Sequence, residues 1–196
     1  MERHGFETTK ASSTMNLSMF EIHTMKPSMY EIPIPAVGRM FVMPKPSGEW
    51  LAEDIKAYKS EGIDFIVSML TGDEAHELGL EDEQTLCEAS GIQFVQYPIV
   101  DRGVPNMIDL SKLVVRLSNV VQSGSTIAIH CRAGIGRSGL VAACVLISLG
   151  SPADDVIDKV SESRGVLIPD TFEQASFIRA FGKCQNKPQL GSQTTS

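Results

Sequence analysis

The chemistry-bearing part of the chain is the run Ile127-Ala128-Ile129-His130-Cys131-Arg132-Ala133-Gly134-Ile135-Gly136-Arg137-Ser138-Gly139. A thiol and a guanidinium close the two ends of a short loop, with five residues between them. Gly134 and Gly136, free of Cβ crowding, let such a loop curl the amides of residues 132–136 toward one point. A helix starting near Arg137 adds its positive dipole end and its unpaired N–H donors. A cup of this kind suits a phosphate dianion, bound by Arg132, Ala133, Gly134, Ile135 and Gly136 through the loop and by Arg137 through its side chain. Cys131 sits where phosphorus would be approached. Converging amides, a helix N-terminus and a guanidinium all favour the thiolate, the nucleophilic form of cysteine. An arginine at a helix start is poorly placed for stability alone. A bidentate fork onto two phosphate oxygens explains it, and lysine could not reproduce that geometry. His130, at the strand end, is expected to support the loop rather than to transfer protons.

The flanking sequence predicts the elements that hold this loop. A strand over 126–130 leads in, and a helix from Arg137 to Leu149, apolar on most sides, leads out into the centre of the domain. Upstream, strands are expected over 39–43 (stopped by Pro44 and Pro46), 64–70 and 92–97. Between them a helix over 48–60, capped by Ser47, presents Leu51, Ile55 and Tyr58. Acidic helical pieces follow over 74–78 and 82–89, with Asp73, Glu74, Asp82 and Glu83 read as a solvated face. Leu110, Leu113, Val114, Leu117, Val120 and Val121 mark an amphipathic helix that Asp109 would cap and Gly124 would end. Ser151-Pro152 starts a helix to Ser163, and a last helix over 171–182 carries Phe172, Phe177, Ile178 and Phe181. Strands alternating with helices predict a single α/β domain, a central, mostly parallel sheet of about five strands with helices on both faces. Ligands of such sheets bind beyond the carboxyl ends of strands. Cys131 and Asp101 each follow a predicted strand, so both belong to one rim. Residues 1–20 read as a mobile tail and 20–35 as an extended lead-in, with Met15, Met19, Met25 and Met29 as filler.

Composition narrows the classes. The formal charge of −7 and pI of about 5.1 argue against a general nucleic-acid or anionic-membrane binder. No apolar run reaches bilayer length, and no hydrophobic segment follows the first residues, so a cytoplasmic location is expected. Cys87, Cys131, Cys144 and Cys184 show no metal-ligand spacing, and no metal or other cofactor is expected. The three cysteines other than Cys131 read as inert.

The His130-Cys131-(five residues)-Arg137-Ser138 pattern resembles the signature of the cysteine-dependent protein phosphatases, especially their compact dual-specificity group. Pro98-Ile99-Val100-Asp101-Arg102-Gly103-Val104-Pro105 looks like that group's general-acid loop. Ile168-Pro169-Asp170-Thr171-Phe172-Glu173-Gln174 looks like the entry to its final helix. The match covers roughly residues 36–183, implying a catalytic domain there, with 1–35 and a polar 184–196 outside it. The resemblance implies hydrolysis of phosphorylated protein through a cysteinyl-phosphate, with Asp101 as general acid; Asp109, Asp73 and Glu74 are weaker rivals. It implies that Ser138 donates its hydroxyl to the Cys131 sulfur as the thiolate leaves, although Ser138 could instead cap the helix. The larger tyrosine-specific members orient water with a glutamine where this chain has Asp170, and Gln174 could take a related role. They also carry a Lys-Asn-Arg-Tyr motif that is missing here, which leaves phosphoserine and phosphothreonine open beside phosphotyrosine. Lipid-directed relatives place lysines inside the loop. Here its interior is Arg132 with Ala, Gly and Ile, which weakens a phosphoinositide reading, as the charge balance weakens an RNA 5′-end reading. A non-catalytic phosphoprotein-binding module is the remaining alternative. Some relatives also protect the nucleophile with a disulfide.

Overall fold

A computed structural model describes residues 27–185. Five strands form one sheet in the order β1-β2-β5-β3-β4, where β1 is Tyr30–Ile32, β2 Arg39–Met43, β3 Phe65–Ser68, β4 Gln93–Gln96 and β5 Thr126–His130. β1 runs antiparallel to β2, and every other pairing is parallel. Seven helices among the described residues cover it: α1 Leu51–Ser60, α2 Gly72–Glu77, α3 Glu83–Ala89, α4 Met107–Gln122, α5 Gly136–Ser148, α6 Val156–Arg164 and α7 Phe172–Gln185. The expected α/β architecture is the one observed.

Side-chain alternation divides the interior into two cores, one on each face of the sheet. Met40, Val42, Phe65, Val67, Ile127 and Ile129 face the larger core, which α4, α5, α6 and α7 complete. Phe41, Met43, Ile66 and Ala128 face the smaller one, beneath α1 and α3. β5 lies at the middle of the sheet and is buried along its whole length. α5, which follows it, is buried from Gly136 to Ile147. Burying each Leu, Ile or Val side chain there contributes about 1.5–3 kcal/mol, so the strand-loop-helix unit is firmly held.

Several boundaries differ from expectation, for local reasons. α1 begins at Leu51, not near Gly48, and Ser47 does not cap it. Instead the Ser47 backbone N–H donates to the Asp54 carboxylate, 2.7 Å away, so the acidic first turn ties back the preceding residues. Asn106, not Asp109, caps α4: its Oδ1 accepts from the Ile108 and Asp109 amides at 2.9 and 3.2 Å. Asp109 pairs with Lys112 one turn on. α6 starts at Val156, after a turn that follows Pro152. Phe172 is 84% exposed, because the face of α7 that meets the core is set by Gln174, Ile178 and Phe181. The lead-in contributes β1, and Met29 packs against the smaller core; the expected tail, with Met15, Met19 and Met25, lies outside the described residues. Among the described residues no helix is long and apolar enough to cross a membrane.

Candidate active site

The loop between β5 and α5 sits at the carboxyl edge of the sheet. Its curl depends on Gly134, which has φ +70° and lies against the Met43–Pro44 backbone, where a Cβ would collide. At Gly136 a Cβ would strike the Asp170 carboxylate and come within 3.0 Å of Gln174 Oε1. No side chain caps α5: its N-cap is Ile135, and Ser138 stands inside the helix. The cap alternative for Ser138 therefore fails. Its Oγ lies 3.4 Å from Cys131 Sγ, as a hydrogen bond to the sulfur requires. Cys131 is 2% exposed.

Arg137 is 1% exposed, and its guanidinium is gripped from several sides. Nη1 and Nη2 donate to the two Glu74 carboxylate oxygens at 2.7 and 2.9 Å. Nη1 also donates to the Ile99 carbonyl at 2.9 Å, and Nη2 lies 2.9 Å from Asp101 Oδ1. Burial opposes the charge, but the Glu74 hydrogen bonds and the Cys131 and Asp101 charges hold the arginine pKa above its usual value. Hydrogen bonding to Arg137 in turn holds Glu74 below the ordinary carboxylate range, against the opposing effect of burial.

Glu74 corrects the expectation of a solvated acidic face. It is the N3 residue of a capping box with Thr71, which fixes it at the start of α2, and its side chain is 12% exposed. Glu83 departs from that expectation too: it is 2% exposed, and its Oε1 lies 3.0 Å from His130 Nε2. The separation is that of an ion pair, but the geometry is not that of a hydrogen bond, and His130 Nδ1 has no hydrogen-bond partner among the described residues. The imidazole immediately before Cys131 is therefore wholly buried beside a carboxylate.

The other expected site residues divide. Asp101 is brought to Arg137, on a loop where Arg102 adopts φ +60° and Gly103 N–H closes a turn onto the Val100 carbonyl. Such a φ in a residue with a Cβ costs about 1–2 kcal/mol, held here at the site itself. Arg132 turns outward to Glu77, with Nη2–Oε2 at 2.9 Å. Gln174 is buried; its Nε2 donates to the Gly103 carbonyl at 3.0 Å, joining α7 to the Asp101 loop, and its Oε1 has no hydrogen-bond partner among the described residues. Arg164 escaped the sequence reading. It donates to the Gly134 and Ala133 carbonyls at 3.0 and 3.1 Å and stacks on Tyr30, bracing the loop from outside. A Thr-x-x-Glu capping signature at Thr71–Glu74 was legible, but nothing in the sequence tied it to Arg137.

All four cysteines are free. Burial pushes the Cys87 thiol up to about 12 and raises that of Cys144 as well, so neither is a ready nucleophile at neutral pH. Among the described residues no group of three or more His, Cys, Asp or Glu side chains is placed to hold a metal ion.

Comparison with known proteins gives the family of the chain and the likeness of its fold. The family model described as "Polymorphic toxin system, DSP-PTPase phosphatase" matches residues 43–151. Human cyclin-dependent kinase inhibitor 3 is 30% identical over 132 residues, which are 66% of this chain and 62% of the relative; the chain thus spans less than two thirds of that protein. Among solved structures, kinase associated phosphatase with its catalytic-site cysteine replaced by serine superposes with a TM-score of 0.76 at 22% identity, over 82% of this chain and 97% of that one. PTPMT1 in complex with PI(5)P gives 0.63 at 20% identity, over 74% and 90%. At these identities the structural likeness is one of fold. The family match covers more than half of the chain, which therefore belongs to the DSP-PTPase phosphatases.

Proposed function

We propose that this chain is a protein phosphatase that hydrolyses phosphotyrosine, and phosphoserine or phosphothreonine less strictly, within a catalytic unit of residues 36–183. The observation that carries the reading is the convergence on Arg137: a buried guanidinium in contact with Asp101, one loop away from a cysteine whose sulfur lies 3.4 Å from Ser138 Oγ. In the first step the Cys131 thiolate attacks phosphorus. The S–P bond forms as the ester P–O bond breaks, and the departing oxygen takes a proton from Asp101. In the second, Asp101 accepts a proton from water, whose oxygen attacks phosphorus and expels the sulfur as thiolate, with Ser138 donating a hydrogen bond to it. The loop amides and Arg137 stabilise the phosphoryl oxygens throughout. Asp101 is 59% exposed on its side chain, so an arriving phosphate can displace it from Arg137 and leave it over the ester oxygen. Gln174 Oε1, buried beside Gly136 with no partner among the described residues, is suited to orienting the water.

Likeness to cyclin-dependent kinase inhibitor 3 and kinase associated phosphatase supports a phosphorylated protein as substrate. The net charge of −7 disfavours an anionic lipid surface. Cys131→Ser should abolish hydrolysis of a generic aryl phosphate while retaining inorganic phosphate binding. Turnover by that variant would refute covalent catalysis, and tight phosphopeptide binding without turnover by the wild type would make the chain a binding module.

A further inference from the structure

The segment between α6 and α7 exposes large apolar side chains beside the phosphate loop. Val166 is 41% exposed, Leu167 88% and Phe172 84%, and Val100 on the neighbouring Asp101 loop is 73% exposed. This is not a loose segment. At one end Arg164 is fastened to the Ala133 and Gly134 carbonyls. In the middle the Ile168 N–H donates to Ser161 Oγ at 3.0 Å, and the Ile168 side chain is buried against Gly139 of α5. At the other end Thr171 Oγ1 accepts the Gln174 N–H, and Gln174 holds the Asp101 loop through Gly103. Leu167 is thus held out in water by pinned neighbours, on a segment fastened to the phosphate loop.

We propose that Leu167 and Phe172, with Val166 and Val100, form a docking rim for a large aliphatic or aromatic side chain next to the phosphorylated residue of a protein substrate. The inference rests on the phosphatase reading and names its substrate class. Fixed apolar groups lose little freedom on binding, so their burial appears largely as affinity. A peptide is favoured over a lipid as occupant because the chain carries a net charge of −7, which repels an anionic membrane.

The test compares two phosphotyrosine peptides that differ in having Leu or Ser beside the phosphoresidue. They are assayed with wild type, Leu167→Ser and Phe172→Ser, alongside a small aryl phosphate and a short-chain phosphoinositide. The wild type should prefer the Leu peptide by about tenfold or more in kcat/KM, mainly through KM. Each variant should lose most of that preference while hydrolysing the aryl phosphate within about twofold of wild type, since neither side chain touches the reacting atoms. A wild type indifferent to the flanking residue, or variants that keep the preference, would overturn the proposal. So would a loss confined to the phosphoinositide, which would make the rim a lipid contact. The same peptides are also titrated against Cys131→Ser alone and combined with Leu167→Ser. If the wild type turns over nothing, a Leu preference in Kd that disappears in the double variant still supports the rim, and its absence there overturns it.

Discussion

Replacing Glu74 by Gln isolates the support beneath the phosphate clamp. The carboxylate makes two charge-assisted hydrogen bonds to Arg137, at 2.7 and 2.9 Å, with the two side chains 12% and 1% exposed. Hydrogen bonds to charged groups contribute about 1.5–3 kcal/mol each, and breaking a buried pair by removing one partner costs about 3–5 kcal/mol. Glutamine keeps the shape and one acceptor but turns an NH2 toward the other guanidinium nitrogen, and the remaining Arg137 contacts, to Met69, Ile99 and Asp101, persist. The expected loss is therefore about 2–3 kcal/mol in urea unfolding. A guanidinium free to rotate also misplaces its fork. At about 1.4 kcal/mol per tenfold, kcat/KM for an aryl phosphate should fall by roughly 10- to 100-fold, with weaker inhibition by inorganic phosphate. The pH dependence follows from the direction of the Glu74 shift. Its folded-state pKa is depressed, so its contribution is complete above the unfolded carboxyl value of about 4.3 and is lost as pH falls through the lower folded value. The gap in stability between wild type and variant should stay constant from pH 7 to about 5 and close in stronger acid. A variant within about 0.5 kcal/mol and twofold of wild type, or a gap unchanged in acid, would refute the reasoning.

Asp101→Asn should slow hydrolysis of esters with poor leaving groups much more than those with good ones, read as the leaving-group dependence of kcat; equal losses would move the proton donor elsewhere. Gly134→Ala must place a Cβ on the Met43–Pro44 backbone at φ +70°, whereas Gly165→Ala, at φ +75°, meets nothing within 4 Å. Gly165→Ala should cost only the left-handed penalty of about 1–2 kcal/mol in urea unfolding, and Gly134→Ala clearly more, with weaker phosphate inhibition; equal costs would remove the steric argument.

What the sequence determined by itself is the local unit and its context. Thr126–His130 had the buried-strand composition, the five-residue loop had its glycines, and residues 136–148 were apolar all round, so the position of Cys131 and Arg137 at the two ends of the loop followed from adjacent residues. The alternation of strand and helix signals was likewise enough for an α/β sheet with both faces covered, and the unbroken apolar runs Met40–Met43 and Ile127–Ile129 suit strands buried on both faces. Boundaries were less legible where one particular side-chain hydrogen bond settled them, as that of Asp54 did for Ser47 and that of Asn106 for the start of α4.

Only the tertiary structure decided what surrounds the nucleophile. Glu74 and Glu83 sit in acidic stretches whose composition says solvent, and each is turned inward by a partner far along the chain, Arg137 and His130. Phe172 makes the reverse case, an aromatic residue that helical periodicity assigns to the core and that the packing of α7 leaves in water. The physical reason is the same in all three. Local sequence fixes backbone conformation and average polarity, but whether a side chain is desolvated depends on which distant charge or surface the sheet order brings against it, and β5 reaches its neighbours β2 and β3 only after the intervening helices have been folded over.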